Sequence, residues 1–321
     1  SIPVLYITGQ QTRDRLSGDS GVRQLGFQET PIVDMVRKVT KYAVTVMDPA
    51  RVEEELTKAV LIAKSGRPGP VLVDIPDDVQ RADEEVQYIS AEAYLSATVA
   101  PEALGQKLVL DGLLHAKRPL FIFGSAVGDV KTAKEIMRRL RVPCVTTWGA
   151  VDHFGAEPLW FGGFGTHGVR YANFAVQNAD YIVTVGTRLD TKATGSPAKA
   201  FAPKAKLVMV DVDQAEMDKM ATIGRPLYRK IRADAGKFLS ALRQAASTYA
   251  SYNDALDGPH WEQALSSDWV QQLSAWKKKY NPVLPRYAAD TLNPYTFIDR
   301  LGDFLSPNDI IVSDTGCALG W

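Results

Sequence analysis

The chain is 321 residues long, 45% hydrophobic and 23% charged, with 37 basic and 37 acidic side chains. That length allows two or three domains with sizeable cores, and a net charge of zero with a pI near 6.9 gives no electrostatic case for nucleic acid or an anionic membrane. Its two cysteines, Cys144 and Cys317, form no disulfide framework or zinc motif; there is no apolar run of about 18 residues to span a membrane and no signal-peptide pattern at the N-terminus, so a reducing cytoplasm is expected.

The chain opens on Ile2-Pro-Val-Leu-Tyr-Ile-Thr8, which reads as a central strand, and a polar, Gly-bearing loop follows from Thr12 to Gly26. Pro31 starts a short helix to Val36, and Tyr42–Val46 reads as a short strand. Asp48 then caps a helix from Pro49 to Lys64, with Val52, Leu56, Ala59, Val60 and Ala63 at helical spacing. Gly66-Arg67-Pro68-Gly69-Pro70 breaks it before the buried strand Val71–Pro76. Residues 81–97 are polar and aperiodic, the composition of a linker.

A helix is expected from Pro101 to His115. Pro119–Phe123 is a strand that runs through Gly124-Ser-Ala-Val-Gly128 into a helix ending at Leu140; a lone G-x-x-x-G is weak evidence for phosphate binding. Strand Val142–Thr147 follows. Phe161–Gly168 reads as a flexible Gly-rich loop ahead of a helix from Val169 to Gln177, whose first amides are placed to meet an anion. Asp180–Gly186 and Lys206–Asp211 have the β-branched, apolar look of strands covered on both faces. Ile231–Asp234 is a last short strand or loop before a helix from Ala235 to Tyr249. Trp261, Trp269 and Trp276 mark a helical linker packed on a domain, Pro294–Phe304 an amphipathic helix, and Asp309–Asp314 another central strand.

Strands alternating with helices imply parallel sheets, and ligands of such sheets sit beyond the carboxyl ends of the strands. Those ends carry Gly186, Arg188, Asp211 and Asp213. Gly lets a ligand approach the backbone, Arg grips a phosphate and a strand-end Asp takes ribose hydroxyls; the competing reading is an ordinary α/β core with turn glycines and surface aspartates. No Ser/His/Asp triad can be argued. The histidines, His115, His153, His167 and His260, lack metal-ligand spacing, and His167 alone stands on a candidate ligand loop.

Three stretches together resemble the acetolactate synthase branch of the thiamine-diphosphate-dependent enzymes. They are Phe27-Gln-Glu-Thr-Pro-Ile-Val33 with Thr40-Lys41, then Gly66-Arg-Pro-Gly-Pro-Val-Leu-Val-Asp-Ile-Pro76, and Ala172-Asn-Phe-Ala-Val-Gln-Asn-Ala-Asp180 with Gly186-Thr-Arg-Leu-Asp190. The resemblance implies an α/β fold of three-layer parallel-sheet domains: a complete central Rossmann-like domain over 98–250, flanked by two partial ones. Residues 1–80 would be the latter half of a pyrimidine-binding domain and 285–321 the start of a diphosphate-binding domain, with linkers at 81–97 and 251–284.

It further implies thiamine diphosphate and Mg²⁺ as cofactors, FAD as an option in the central domain, a small 2-oxo acid substrate and a homo-oligomer. Phe27, Gln28 and Lys41 match positions near the family's active centre. The implied FAD contacts are Arg67, Gly124, Thr147, Gly165, His167, Gly186, Arg188, Asp190, Asp211, Asp213, Glu216 and Asp234, while Thr315, Gly316 and Cys317 fall where the diphosphate loop begins. A catalytic Glu would lie upstream of Ile2 and the Mg²⁺-binding Gly-Asp-Gly…Asn segment downstream of Trp321. The pattern departs from the synthases at Gly18-Asp19-Ser20, Asp77, Thr191-Lys192 and the Asp314–Gly320 ending. These departures point away from joining two pyruvates and leave other 2-oxo acids open, as well as a non-catalytic nucleotide-binding module or a same-fold decarboxylase with ADP or nothing in the central domain.

Overall fold

The computed structural model describes residues 2–83, 103–155, 157–254, 267–284, 287, 293–306 and 308–312, and the chain divides into two units, 1–99 and 100–321. Most of the linker at 81–97, together with His260, Trp261, Thr315, Gly316 and Cys317, lies outside the described residues.

In the first unit, β1 (Leu5–Gln10), β2 (Tyr42–Thr45) and β3 (Val71–Pro76) form a parallel sheet in the order β1-β3-β2. α1 (Ile32–Val36), α2 (Val52–Lys64) and α3 (Asp77–Gln80) accompany it. Asp48 accepts from the Ala50 amide at the start of the α2 segment, and α2 lays Ala59 and Ala63 against Val71, Val73 and Ile75. β3 is buried throughout because it is the middle strand. β1, expected as a central strand from residue 2, starts at Leu5 and forms an edge among the described residues, with Tyr6 53% and Ile7 59% exposed.

On the face of the sheet away from α2, the register places Thr8, Asp74 and Thr45 side by side. Asp74 is only 1% exposed, yet its carboxylate accepts from the Thr8 hydroxyl (2.7 Å), the Thr45 hydroxyl (3.2 Å) and the Gln10 amide (3.3 Å). Hydrogen bonds of this kind offset the cost of burying a charged group.

The second unit is built on a parallel sheet of six strands: β4 (Pro119–Phe123), β5 (Cys144–Thr146), β6 (Trp160–Gly163), β7 (Tyr181–Val185), β8 (Lys206–Asp211) and β9 (Arg229–Arg232). Their order is β6-β5-β4-β7-β8-β9. Two apolar cores follow from the period-2 alternation of these strands. One face, with Phe121, Phe123, Val183, Val185, Val208 and Val210, receives α4 (Ala103–His115), α5 (Val130–Leu140) and α10 (Ala235–Asp254). The opposite face, with Leu120, Ile122, Val145, Ile182 and Met209, receives α7 (Arg170–Asn178), α9 (Gln214–Thr222) and α11 (Ser267–Lys279). Short helices α6 (Val151–Phe154) and α8 (Thr191–Thr194) lie in the connections, and α12 (Pro294–Gly302) comes last.

Two expectations are corrected here. The Gly-rich segment from Phe161 is not all loop: its first residues belong to β6, an edge strand whose glycines give it no β signature. At the other end, the described part of 309–314 is not a strand, and Ile310, Ile311 and Val312 face solvent.

Of the linker tryptophans, Trp269 and Trp276 do pack. Trp269 and Leu273 of α11 enter the second core, the Trp269 indole donates to Pro119 O at 3.1 Å, and Trp276 meets Phe174 edge-on. Arg225 ties down the connection into β8 in another way. Its guanidinium donates to Phe201 O, Ala202 O, Ala205 O and Pro226 O, and burial pushes its pKa down. Trp269→Phe keeps most of the apolar volume but leaves the Pro119 carbonyl without its indole donor. It is expected to cost about 1–2 kcal/mol in chemical denaturation of the chain.

Candidate functional site

β4 and β7 are neighbours, but the chain leaves β4 toward β5 and leaves β7 toward β8. Such a reversal opens a crevice beyond the carboxyl ends of the two strands. Crowding at this point is severe. A side chain at Gly124 would place Cβ 2.3 Å from Gly186 O, and one at Gly186 would meet the Ala126 carbonyl carbon at 2.3 Å. Gly186 also has φ +64°, a left-handed conformation. These glycines are therefore required for the two loops to pass each other, before any ligand is considered. The loops leave Ser125 and Ala126 exposed at the rim.

On the β5–β6 side, the Thr147 amide donates to Phe123 O, and Trp148 and His167 meet edge-to-face with ring centroids 5.0 Å apart. The loop after β6 is shaped by Asn173, whose side chain pairs with both the amide and the carbonyl of Gly165. Thr166 N donates to Lys192 O at 2.8 Å, which joins this loop to the one after β7.

On the β7–β8 side, Arg188 holds an ion pair with the buried Glu216, Nε to Oε1 at 3.0 Å. Lys219 donates to the other Glu216 oxygen and to Arg188 O. The Arg188 side chain is 56% exposed, and its terminal nitrogens have no hydrogen-bond partner among the described residues. Leu189 follows with φ +45°, a strained conformation for a γ-branched residue.

The acidic residues of this rim serve the fold first. Asp190 accepts from the amides of Lys192 and Ala193 and caps α8; Asp213 accepts from Ala215 N and caps α9; Asp234 accepts from Lys237 N in the first turn of α10. Asp211 accepts from Asp213 N at 2.8 Å. Gly124, Thr147, Gly165, His167, Gly186, Arg188, Asp190, Asp213, Glu216 and Asp234 thus stand on loops or first helical turns, and Asp211 at the last position of β8, all at one rim of one sheet. Sequence reasoning missed Ser125, Trp148 and Lys219. Lys219 alone left a trace, its spacing of three from Glu216 on a helix.

The remaining candidates among the described residues belong to the first unit. Phe27 is 83% exposed and Gln28 has φ +68°. Lys41 donates from Nζ to Ile62 O and to Ser65 O, the latter at 2.6 Å, so its ammonium satisfies carbonyls at the end of α2. Burial lowers its pKa. Arg67 lies in the turn that follows. Of the positions that depart from the synthase pattern, Asp77 pairs with Arg81 and Thr191-Lys192 form the start of α8. Among the described residues no group of three or more His, Cys, Asp or Glu is placed to hold a metal ion, and no helix is long and apolar enough to cross a membrane.

Residues 107–242 match the family described as thiamine pyrophosphate enzyme, central domain. The chain is 33% identical over 307 residues to acetolactate synthase 1, chloroplastic, of Zea mays, covering 92% of this chain and 46% of that protein. It is 30% identical over 336 residues to the acetolactate synthase large subunit of Parasynechococcus marenigrum, covering 100% of this chain and 49% of that protein. With the acetolactate synthase isozyme 1 large subunit of Escherichia coli the identity is 29% over 326 residues, covering 100% and 53%. The chain spans about half the length of the curated relatives it matches.

The crowding at the crevice gives a direct test. Gly186→Ala adds a methyl where backbone already stands and forces a left-handed conformation on a residue with Cβ. A loss of about 2 kcal/mol or more is expected. Ser125→Ala, exposed on the same rim, should stay within about 0.5 kcal/mol of the parent. Equilibrium urea unfolding of both variants checks the pair.

Proposed function

We propose that this chain, which carries the central domain of the thiamine pyrophosphate enzymes, is part of an enzyme that decarboxylates a 2-oxo acid and transfers the remaining acyl fragment to an acceptor, as acetolactate synthases do. The observation that carries this reading is similarity to acetolactate synthases over nearly the whole chain, together with a central sheet whose strand-end loops gather at one crevice. Thiamine diphosphate, when bound, supplies the electron sink at the carbon that loses CO₂. Mg²⁺ is expected beside its diphosphate, with ligands outside this chain.

This chain's own part is to hold and orient. Phe27 offers an apolar face that keeps water from a reactant, Gln28 offers an amide for its polar atoms, and Lys41 fixes the turn that carries Arg67. In the central unit we assign the crevice to a dinucleotide of the FAD class. The terminal nitrogens of Arg188, without a hydrogen-bond partner among the described residues, suit a phosphate, and the exposed Trp148–His167 pair offers aromatic faces to a flat ring. The carboxylates of Asp190, Asp211 and Asp213, at the same rim, suit ribose hydroxyls. The acidic Asp77 and the Thr191-Lys192 pair favour a 2-oxo acid or acceptor other than a second pyruvate. The reading carries with it a cytoplasmic homo-oligomer.

The test for the central unit is titration of the flavin-free chain with FAD and with ADP. Arg188→Ala is expected to weaken binding by about 1.5–3 kcal/mol, the range for a hydrogen bond to a charged group, or roughly ten- to a hundredfold in Kd. Equal affinity in parent and variant removes Arg188 from the site. For the reaction, CO₂ release by the holoenzyme with thiamine diphosphate and Mg²⁺ should exceed background for one or more 2-oxo acids. No release across a panel of them refutes the proposal.

A further inference from the structure

The segment from Ser17 to Gln28 has little apolar content of its own, and within it only Gly26 is buried. What closes it is a single side chain. Glu29 is buried, and one of its carboxylate oxygens accepts from both the amide and the hydroxyl of Ser17 at 2.6 Å, twelve residues back along the chain. The other oxygen accepts from the Leu25 amide at 2.8 Å. The donors are all neutral and all belong to the loop. No cation pairs with Glu29 among the described residues, so the charge is held by the loop's own N–H and O–H groups. The Ser17 hydroxyl, followed by the Ser17 and Leu25 amides, holds its carboxyl below the usual carboxylate range.

The same loop is anchored at three further points. Gln24 donates to Glu29 O at 2.6 Å, Gln11 donates to Phe27 O, and Gln10 donates to Thr30 O at 2.7 Å while also reaching Asp74. Gly26 is packed so closely on Gln11 that a Cβ would stand 2.7 Å from its Cγ. Yet the two residues between Gly26 and Glu29 project outward: Phe27 is almost fully exposed, and Gln28 takes the left-handed conformation. The aromatic ring thus stands exposed on a loop tied at Ser17, Gln24, Leu25 and the Phe27 carbonyl. This arrangement is explained if the ring and the neighbouring amide must be held ready for something else.

We propose that Glu29 is a positioning residue: by closing the Ser17–Gln28 loop on its own amides and hydroxyl, it fixes the direction in which Phe27 and Gln28 meet the reactant. The proposal rests on the assignment of Phe27 and Gln28 to the active centre made above. Glu29 itself touches no reactant. It acts through the loop, and a variant that keeps its size but not its two acceptor oxygens is enough to release it.

Glu29→Gln is such a variant, because its amide group must face either Ser17 or Leu25 with a donor against a donor. Hydrogen exchange followed by mass spectrometry on the 321-residue chain is expected to show residues 18–28 exchanging at least tenfold faster in Glu29→Gln, with 71–76 of β3 unchanged. In the holoenzyme, the same variant should lower kcat at least tenfold with the melting temperature within two degrees of the parent, and Phe27→Ala should lower it too. Unchanged exchange over 18–28 overturns the proposal. Faster exchange with parental kcat, where Phe27→Ala is impaired, also overturns it, since the loop then needs no lock. A Phe27→Ala variant with parental kcat overturns instead the placement of the active centre, and the proposal with it. Should Glu29→Gln not accumulate folded, Ser17→Ala removes one donated O–H and carries the same test, with a rise in exchange of roughly threefold expected and none overturning the lock.

Discussion

Two polypeptide segments leave adjacent parallel strands at the same height and in opposite directions. That is the constraint at the centre of this molecule. At Gly124 and Gly186 the backbones pass so closely that neither position has room for a Cβ. Once the crossing is made, the rest of the central unit follows. α5 and α10 are carried to one face of the sheet, α7 and α9 to the other, and each strand must be apolar on both sides to fill the two cores. The crossing also leaves a crevice that no element of the sheet fills.

Charge at the rim is governed by the same geometry. Every parallel strand that feeds a helix delivers a helix N-terminus to its carboxyl end, with unpaired amides in the first turn. Asp190, Asp213 and Asp234 meet that need. Arg188, held by Glu216, brings a cation to the edge of the crevice. Arg225, by contrast, is held by carbonyl oxygens and has a purely architectural task. Two arginines of one unit therefore differ in what they can offer a ligand: Arg225 is spent on backbone, and the terminal donors of Arg188 are unpaired among the described residues.

The parts of this arrangement that could be read from sequence are those written in local pattern. β4, β7 and β8 were legible because strands covered on both faces are unbroken apolar runs. α2 was legible because Asp48, the apolar spacing from Val52 and the Gly66–Pro70 break mark its start, face and end. β6 was not, since an edge strand of Trp160-Phe-Gly-Gly163 has the composition of a loop and becomes a strand only by pairing with β5. Nor does local sequence say whether a strand is central or at an edge, as β1 shows. The rim followed the same division. Its strand-end residues Gly186, Arg188, Asp211 and Asp213 are legible from position alone, and Lys219 meets Glu216 three residues away on the same helix, but Trp148 comes to the rim only through its tertiary contact with His167. The attachment of Lys41 to the end of α2 likewise depends on a hydrogen bond between residues 24 apart.

The capping role of the rim aspartates has an evolutionary corollary. Folding alone selects for Asp190, Asp213 and Asp234, whether or not anything occupies the crevice. A descendant that lost its ligand would keep these carboxylates, and one that adopted a new ligand would inherit them ready-made. Divergence in what the crevice accepts would then be recorded at positions with no such duty, Ser125, Trp148, His167 and the outer nitrogens of Arg188.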